Sequence, residues 1–296
     1  MARRKRLSRR ALRRAGVSVA ALIVMTGAVS WIVGGQLVSP APSSVGTSPA
    51  DLDAETVSIA SESGSTLGGW YIRGAPDKGT VVLLHGIHES RLQMIDRARL
   101  LTRRGYSSLL IDFQAHGESP GRYISIGHLE RLDVRAAVAF ARERRPGQPV
   151  AVIGVSLGGA AAILAHPLDI DAAVVESAYP TIDEAVGNRI RTRIGPLSPI
   201  AKQLLLVQLK PRLGVSTSQL RPIDHIGEIG CPVLVMSGSD DRDTTPAETR
   251  RLFEAAREPK QLALFDGAAH VDLYESNATL YADLVLGFLA EHLDQK

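Results

Sequence analysis

One stretch limits what this chain can fold into more than any other: Gly154-Val155-Ser156-Leu157-Gly158-Gly159. The apolar run Pro149-Val150-Ala151-Val152-Ile153 precedes it, and Ala160-Ala161-Ala162-Ile163-Leu164-Ala165 follows. The first reads as a buried strand and the second as the opening turns of a helix. Ser156 is therefore expected on a sharp strand-to-helix turn, with small neighbours that let the backbone bend. Such a turn lifts a serine oxygen to the top of a sheet, above the free N–H groups of a helix start. The five-residue pattern alone is weak. Its flanking strand and helix strengthen it, and the residues that complete a site must decide what it does.

The surrounding sequence alternates strands and helices. Thr56–Ile59 and Leu67–Ile72 read as an antiparallel pair about a turn at Glu62-Ser63-Gly64-Ser65. Apolar strands follow at 80–84, 107–111, 150–153, 172–175, 233–236 and 261–265, with helical patterns near 91–104, 128–144, 157–166, 247–257 and 280–293. Short, nearly continuous apolar strands separated by helices predict an α/β fold, a mostly parallel sheet covered on both faces. The alternation breaks between Ser177 and Ile226, where helical patches at 182–194 and 200–210 are punctuated by Pro180, Pro196, Pro199, Pro211 and Pro222. That stretch reads as a small helical cap, about residues 178–226. It would rest over the strand C-terminal ends, where open α/β sheets bind ligands.

The net charge of +3 hides an asymmetry, because residues 1–16 hold eight Arg or Lys and no acid, leaving −5 for the rest. The basic character belongs to a tail, so nothing argues for a nucleic-acid partner. Residues 17–39 carry no charge and are long enough to cross a bilayer as a helix. Trp31 suits a membrane interface, and the basic tail should stay cytoplasmic with the body outside. The preferred organisation is a tail (1–16), a transmembrane signal anchor (17–39), a Pro/Ser/Gly-rich linker (40–50) and an α/β body (51–296). The alternative is export with signal cleavage. Ser8-Arg9-Arg10-Ala11-Leu12-Arg13 resembles a twin-arginine signal, and Ser39-Pro40-Ala41 and Ser48-Pro49-Ala50 are mediocre cleavage sites. The single cysteine, Cys231, excludes an intrachain disulfide and reads as a structural thiol.

A serine hydroxyl needs a base to attack at neutral pH, and the base needs an orienting carboxylate. His270, in the small-residue loop Gly267-Ala268-Ala269-His270 after the last strand, is the expected base. The loop after 233–236 offers Asp240, Asp241 and Asp243. Asp241 is preferred for its spacing from Gly238. An oxyanion needs preorganised donors: the N–H of Leu157 at the helix start, and that of Ile87 in His85-Gly86-Ile87-His88-Glu89-Ser90. His85, His88 and His116 could suggest a metal cluster, but no cysteine or carboxylate stands at ligand spacing, so neither a metal nor a cofactor is expected. His85 reads better as packing under its loop.

Taken together, LLHGIHES, Asp112–Ser119 (DFQAHGES), GVSLGG, Gly238–Pro246 (GSDDRDTTP) and Gly267–Tyr274 (GAAHVDLY) resemble the α/β-hydrolase superfamily. The nearest resemblance is to its serine-aminopeptidase S33-like branch, which also groups esterases, lipases and acyl-peptide hydrolases. It covers residues 56–293, and the order Ser…Asp…His matches. It implies Ser156 as nucleophile, Asp241 as orienting acid, His270 as base, and Ile87 and Leu157 as the oxyanion hole. Asp112 and His116 fall in a motif that holds loops. The cap matches no particular member, which leaves the substrate open. The expected activity is hydrolysis of carboxylic esters or related acyl bonds of a small molecule, lipidic esters included. Chain order shows no acidic cluster to grip an amino terminus, so an esterase is preferred over a peptidase. An acyltransferase, an aminopeptidase or acyl-peptide hydrolase with the same triad, and a non-catalytic binding module remain alternatives. Leu204–Val207, Ile190 and Ile194 are candidate walls of an apolar acyl pocket. Arg189, Arg191, Arg193, Lys202, Lys210 and Arg212 are candidate contacts to anionic lipid or substrate.

Overall fold

Eight strands hydrogen-bond into one sheet in the computed structural model, which describes residues 9–294. The first half of the basic tail, Met1–Ser8, lies outside the described residues. In chain order the strands are β1 (Ala54–Ala60), β2 (Thr66–Ile72), β3 (Thr80–Leu84), β4 (Ser107–Ile111), β5 (Val150–Val155), β6 (Ala172–Glu176), β7 (Val233–Gly238) and β8 (Lys260–Phe265). Across the sheet the order is β8-β7-β6-β5-β3-β4-β2-β1. Only β2 runs antiparallel to its neighbours; the other pairs are parallel.

The helices are α1 (Arg9–Leu37), α2 (Ile95–Thr102), α3 (Glu130–Arg144), α4 (Leu157–Leu164), α5 (Ile182–Ile194), α6 (Ser198–Leu206), α7 (Leu209–Leu213), α8 (Pro246–Ala255), α9 (Leu273–Ser276) and α10 (Ala278–Leu293). Helices cover both faces, as the apolar strands predict. The period of two along a strand divides the core. Val81 and Leu83 join one cluster with residues of α2 and α10, while Val82 and Leu84 join another with residues of α3 and α4.

Bounds follow side-chain chemistry closely. β3, β4 and α5 coincide with the expected spans. The helix expected near 91–104 opens instead as a 3-10 turn at Arg91–Met94, because the Arg91 N–H donates to Asp112 Oδ1 (2.7 Å). The helix expected over 200–210 is broken into α6 and α7. Pro211 has no N–H with which to continue the ladder. α8 starts at a capping box, with Thr245 and Glu248 bonded reciprocally and Pro246 in the first turn.

The stretch read as a linker lies against the body. Ala41–Pro42 pairs in parallel with His116–Gly117, Ser43 N donates to the Gly117 carbonyl (2.9 Å), and Val45 is buried in the core. The register places Leu84 opposite Gly154, Val155 opposite Glu176, and Gly238 opposite Phe265. Strand ends β3, β5, β6, β7 and β8 are thereby level. The residues that follow them share one edge of the sheet, and the insert of α5–α7 leaves the chain at that same edge.

Candidate active site

Ser156 holds φ 50° and ψ −105° between β5 and α4, a conformation that side chains other than glycine rarely adopt. Its N–H donates to the Glu176 carbonyl of β6 (2.7 Å). Gly158 is required there, since any Cβ would collide with the Leu84 carbonyl of β3. The strain at Ser156 thus persists because β3, β5, β6 and α4 together leave the backbone no other path.

Ser156 is 8% exposed and lines a cavity of about 640 Å³ at the strand C-terminal edge. His270, from the loop after β8, lines the same cavity. Its Nδ1 meets Asp241 Oδ2 at 2.8 Å. The other oxygen of Asp241 accepts the N–H groups of Asp243 (2.9 Å) and Thr244 (2.8 Å). Asp241 is buried, so these bonds hold its carboxylate in one orientation. Of the other two aspartates, Asp240 is exposed and Asp243 faces Arg189 at 3.5 Å. No hydrogen bond joins the Ser156 hydroxyl to His270 among the described residues; the two groups share a wall.

Ile87 also lines the cavity. Among the described residues neither its N–H nor that of Leu157 reaches a protein acceptor. The loop that presents Ile87 is clamped from below. The Gly86 N–H donates to Gln93 Oε1 (2.7 Å), His85 Nδ1 lies 2.7 Å from the Gly86 carbonyl, and the Phe113 N–H donates to His85 Nε2 (3.1 Å). With Nε2 accepting, the proton of a neutral ring sits on Nδ1. Complete burial, reinforced by His116 nearby, pushes the His85 pKa down to about 3. His85 is thus an uncharged strut. Asp112 is a second brace, accepting the N–H groups of Arg91 (2.7 Å) and Glu118 (2.9 Å). His116 turns Nδ1 to the Gln114 carbonyl (3.0 Å).

Sequence reasoning misses the buried network beneath the site. Arg97 of α2 donates to both carboxylate oxygens of Glu176 (3.1 and 2.7 Å) and both of Asp272 (2.8 and 2.9 Å). The Tyr281 hydroxyl adds a bond to Glu176 (2.5 Å). Asp272 stands two residues after His270 and caps α9 through the Tyr274 N–H (2.8 Å). The histidine loop is in this way tied to the strand beside the serine. A glutamate closing an otherwise apolar strand was the one signal in the sequence.

The walls correct two expectations. None of Leu204–Val207, Ile190 or Ile194 lines the cavity. Leu206 packs inside the insert, and Ile194 faces solvent. Among the described residues, the only one from the insert on the wall is Arg189. Second, carboxylates scattered in the chain do gather in space: Glu89, Asp96, Asp243, Asp272 and Glu275 all line the cavity.

Comparison with known proteins agrees with this architecture. A family profile described as serine aminopeptidase, S33, matches residues 75–222. The chain is 28% identical to YqkD of Bacillus subtilis over 240 residues, 78% of this chain and 77% of that one. It is 30% identical to Rv2307c of Mycobacterium tuberculosis over 258 residues, 85% of this chain and 84% of the relative. The solved esterase Pf2001 of Pyrococcus furiosus superposes with a TM-score of 0.72 at 26% identity, covering 86% of this chain and 100% of its own. A strained serine turn on an eight-stranded, mostly parallel sheet, in a chain with these relatives, makes this protein a member of the α/β-hydrolase superfamily, in its S33 serine aminopeptidase-like family.

Proposed function

We propose that this protein is a serine hydrolase that cleaves carboxylic esters or related acyl bonds, held at a membrane by α1. The carrying observation is the bond between His270 and buried Asp241, on a cavity that also takes in strained Ser156. Asp241 keeps the Nδ1 proton in place, so Nε2 is the basic nitrogen. Ser156 Oγ attacks the carbonyl carbon as Nε2 takes its proton. The link between these two is left to form around bound substrate, as unliganded sites often hold it open. The carbonyl oxygen becomes an oxyanion within reach of the Ile87 and Leu157 N–H groups. Collapse breaks the bond to the leaving oxygen, which receives the proton from His270. Water then repeats the sequence on the acyl-enzyme and releases the acid, with no cofactor.

A panel of p-nitrophenyl and alkyl esters, with aminoacyl amides, tests this against the Ser156→Ala variant. Ester turnover should fall by about 10⁴-fold or more in the variant. Equal turnover in both proteins would overturn the assignment. The carboxylates on the cavity wall favour a second reading, cleavage of aminoacyl bonds with the free amine held by that wall. Turnover of aminoacyl amides above simple esters would select it.

α1 includes an uncharged span, Gly16–Leu37, of a length that crosses a bilayer. We read it as an uncleaved anchor with the body outside the cytoplasm. The alternative is removal as a signal, and the mass of the mature N-terminus separates the two.

A further inference from the structure

We propose that the helical insert is itself a membrane-contacting surface, its stripe of Leu197, Ile200 and Val207 seated in the interface of an anionic lipid bilayer beside α1. The proposal rests on reading α1 as a membrane anchor.

The insert grips the outer end of α1. Gln208 Nε2 donates to Ser30 at its carbonyl (3.1 Å) and hydroxyl (2.9 Å). The Arg212 guanidinium lies 3.8 Å over the Trp31 ring and donates to the Trp31 carbonyl. Val38 is buried in the core of the insert. Gly34 accepts this close approach, since a Cβ there would strike the Gln208 side chain.

That grip creates a conflict of lengths. The uncharged span holds 22 residues, roughly 33 Å of helix against a hydrocarbon core of about 30 Å. The hydrogen bonds to the insert begin at Ser30; the stretch before it, from Gly16 to Val29, is exposed throughout, and it supplies only about 21 Å. Crossing the core therefore draws the neighbouring insert helices about 9 Å inward, the depth at which interfacial helices lie.

The surface that would enter is apolar. Leu197, Ile200 and Val207 are 65%, 64% and 65% exposed. Ile200 lies on α6 and Val207 immediately past its end, next in the chain to Leu205 and Gln208, which line one pocket with Gly34 and Leu37 of α1. The charged margin of this surface has the right sign. Arg193 and Lys210 are exposed and carry no ion pair among the described residues. A body that is acidic beyond its tail would otherwise be repelled by anionic lipid.

The test uses the full chain in vesicles of phosphatidylcholine and phosphatidylglycerol at 7:3. In a Cys231→Ser background, an environment-sensitive fluorophore is placed at Val24→Cys, Ile200→Cys, Val207→Cys or Asp77→Cys. Lipids carrying a nitroxide then quench it. The expected result is at least twofold quenching at 24, 200 and 207 and none at 77, before β3 at the far edge of the sheet. Quenching at 24 without quenching at 200 and 207 overturns the proposal and leaves the anchor standing. Quenching at 200 and 207 but not at 24 removes the anchor and overturns the proposal with it, since the stripe would then meet lipid without α1 beside it. No quenching at any position overturns both. Arg193→Glu with Lys210→Glu should lower quenching at 200 and 207 by half or more. An unchanged value would overturn the selectivity for anionic lipid.

Discussion

The residue that best separates structure from chemistry is His85. It stands one position from the loop glycine beneath the cavity, yet both ring nitrogens are engaged, to the Gly86 carbonyl and the Phe113 N–H. Burial holds its pKa at about 3, against 6.5 for a free ring. The sign of the pH effect follows. Above pH 6.5 both folded and unfolded chains carry a neutral ring, and the strut contributes fully. As pH falls, the unfolded chain takes up a proton that the folded one refuses, and stability drains away down to about pH 3. The full effect is roughly 4–5 kcal/mol. His85→Gln keeps a donor and an acceptor but does not titrate. Wild type should therefore be more stable at pH 7, with the gap narrowing by about 1.4 kcal/mol per pH unit between 6 and 4. Urea melts across that range measure it, and parallel pH profiles would refute the strut. In sequence, His85 and His270 are equal as histidines. What distinguished them was position: one precedes the serine turn, the other follows the last strand in a loop of small residues. Burial, which sets the chemistry of His85, is written nowhere in the local sequence.

At the scale of elements, α2, β6 and the loop before α9 meet at one buried charge. Arg97 is 1% exposed at its side chain and Glu176 is fully buried. The arginine sits among apolar side chains of α2, and the glutamate closes an apolar strand. Arg97→Met would leave two carboxylates without their cation. Breaking such a pair costs about 3–5 kcal/mol, so chemical denaturation should show a large loss. Asp272→Asn is milder, since it keeps the Glu176 pair and an oxygen for the helix cap. Its effect should fall on the placement of His270, lowering kcat severalfold with KM little changed. A variant with unaltered kcat would show the network to be structural only. Elements of this kind resist sequence reading for a physical reason. Strands and helices announce themselves by period, and so β3, β4 and α5 stand where their apolar patterns put them. Contacts between residues 79 or 175 positions apart carry no period. The same holds for Ala41–Pro42, whose Pro- and Ser-rich surroundings read as a free linker but whose backbone pairs with His116–Gly117.

Across the whole molecule, charge is sorted. The tail is basic, the span is uncharged, and the remainder is acidic. Acidity also reaches the cavity. Three of the wall carboxylates have cations: Asp96 with Arg99, Asp243 with Arg189, and Asp272 with Arg97. Glu89 and Glu275 are exposed on the same wall and form no ion pair among the described residues. Two carboxylates in water at about 8 Å from a bound charge together contribute about 1 kcal/mol. A cationic ester should therefore exceed its neutral isostere in kcat/KM by roughly fivefold at low ionic strength. Acetylcholine against 3,3-dimethylbutyl acetate makes that comparison at equal size. The advantage should shrink toward unity by 0.5 M salt, where screening acts within a few ångströms. It should also fall in Glu89→Gln with Glu275→Gln, while turnover of the neutral ester stays the same. A neutral ester gains nothing from the two carboxylates, and the apolar residues of the insert lie outside the cavity. Preference for the neutral ester at every salt concentration would mean that substrate binds away from the carboxylates, and the reading of this cavity as charge-selective would fall with it.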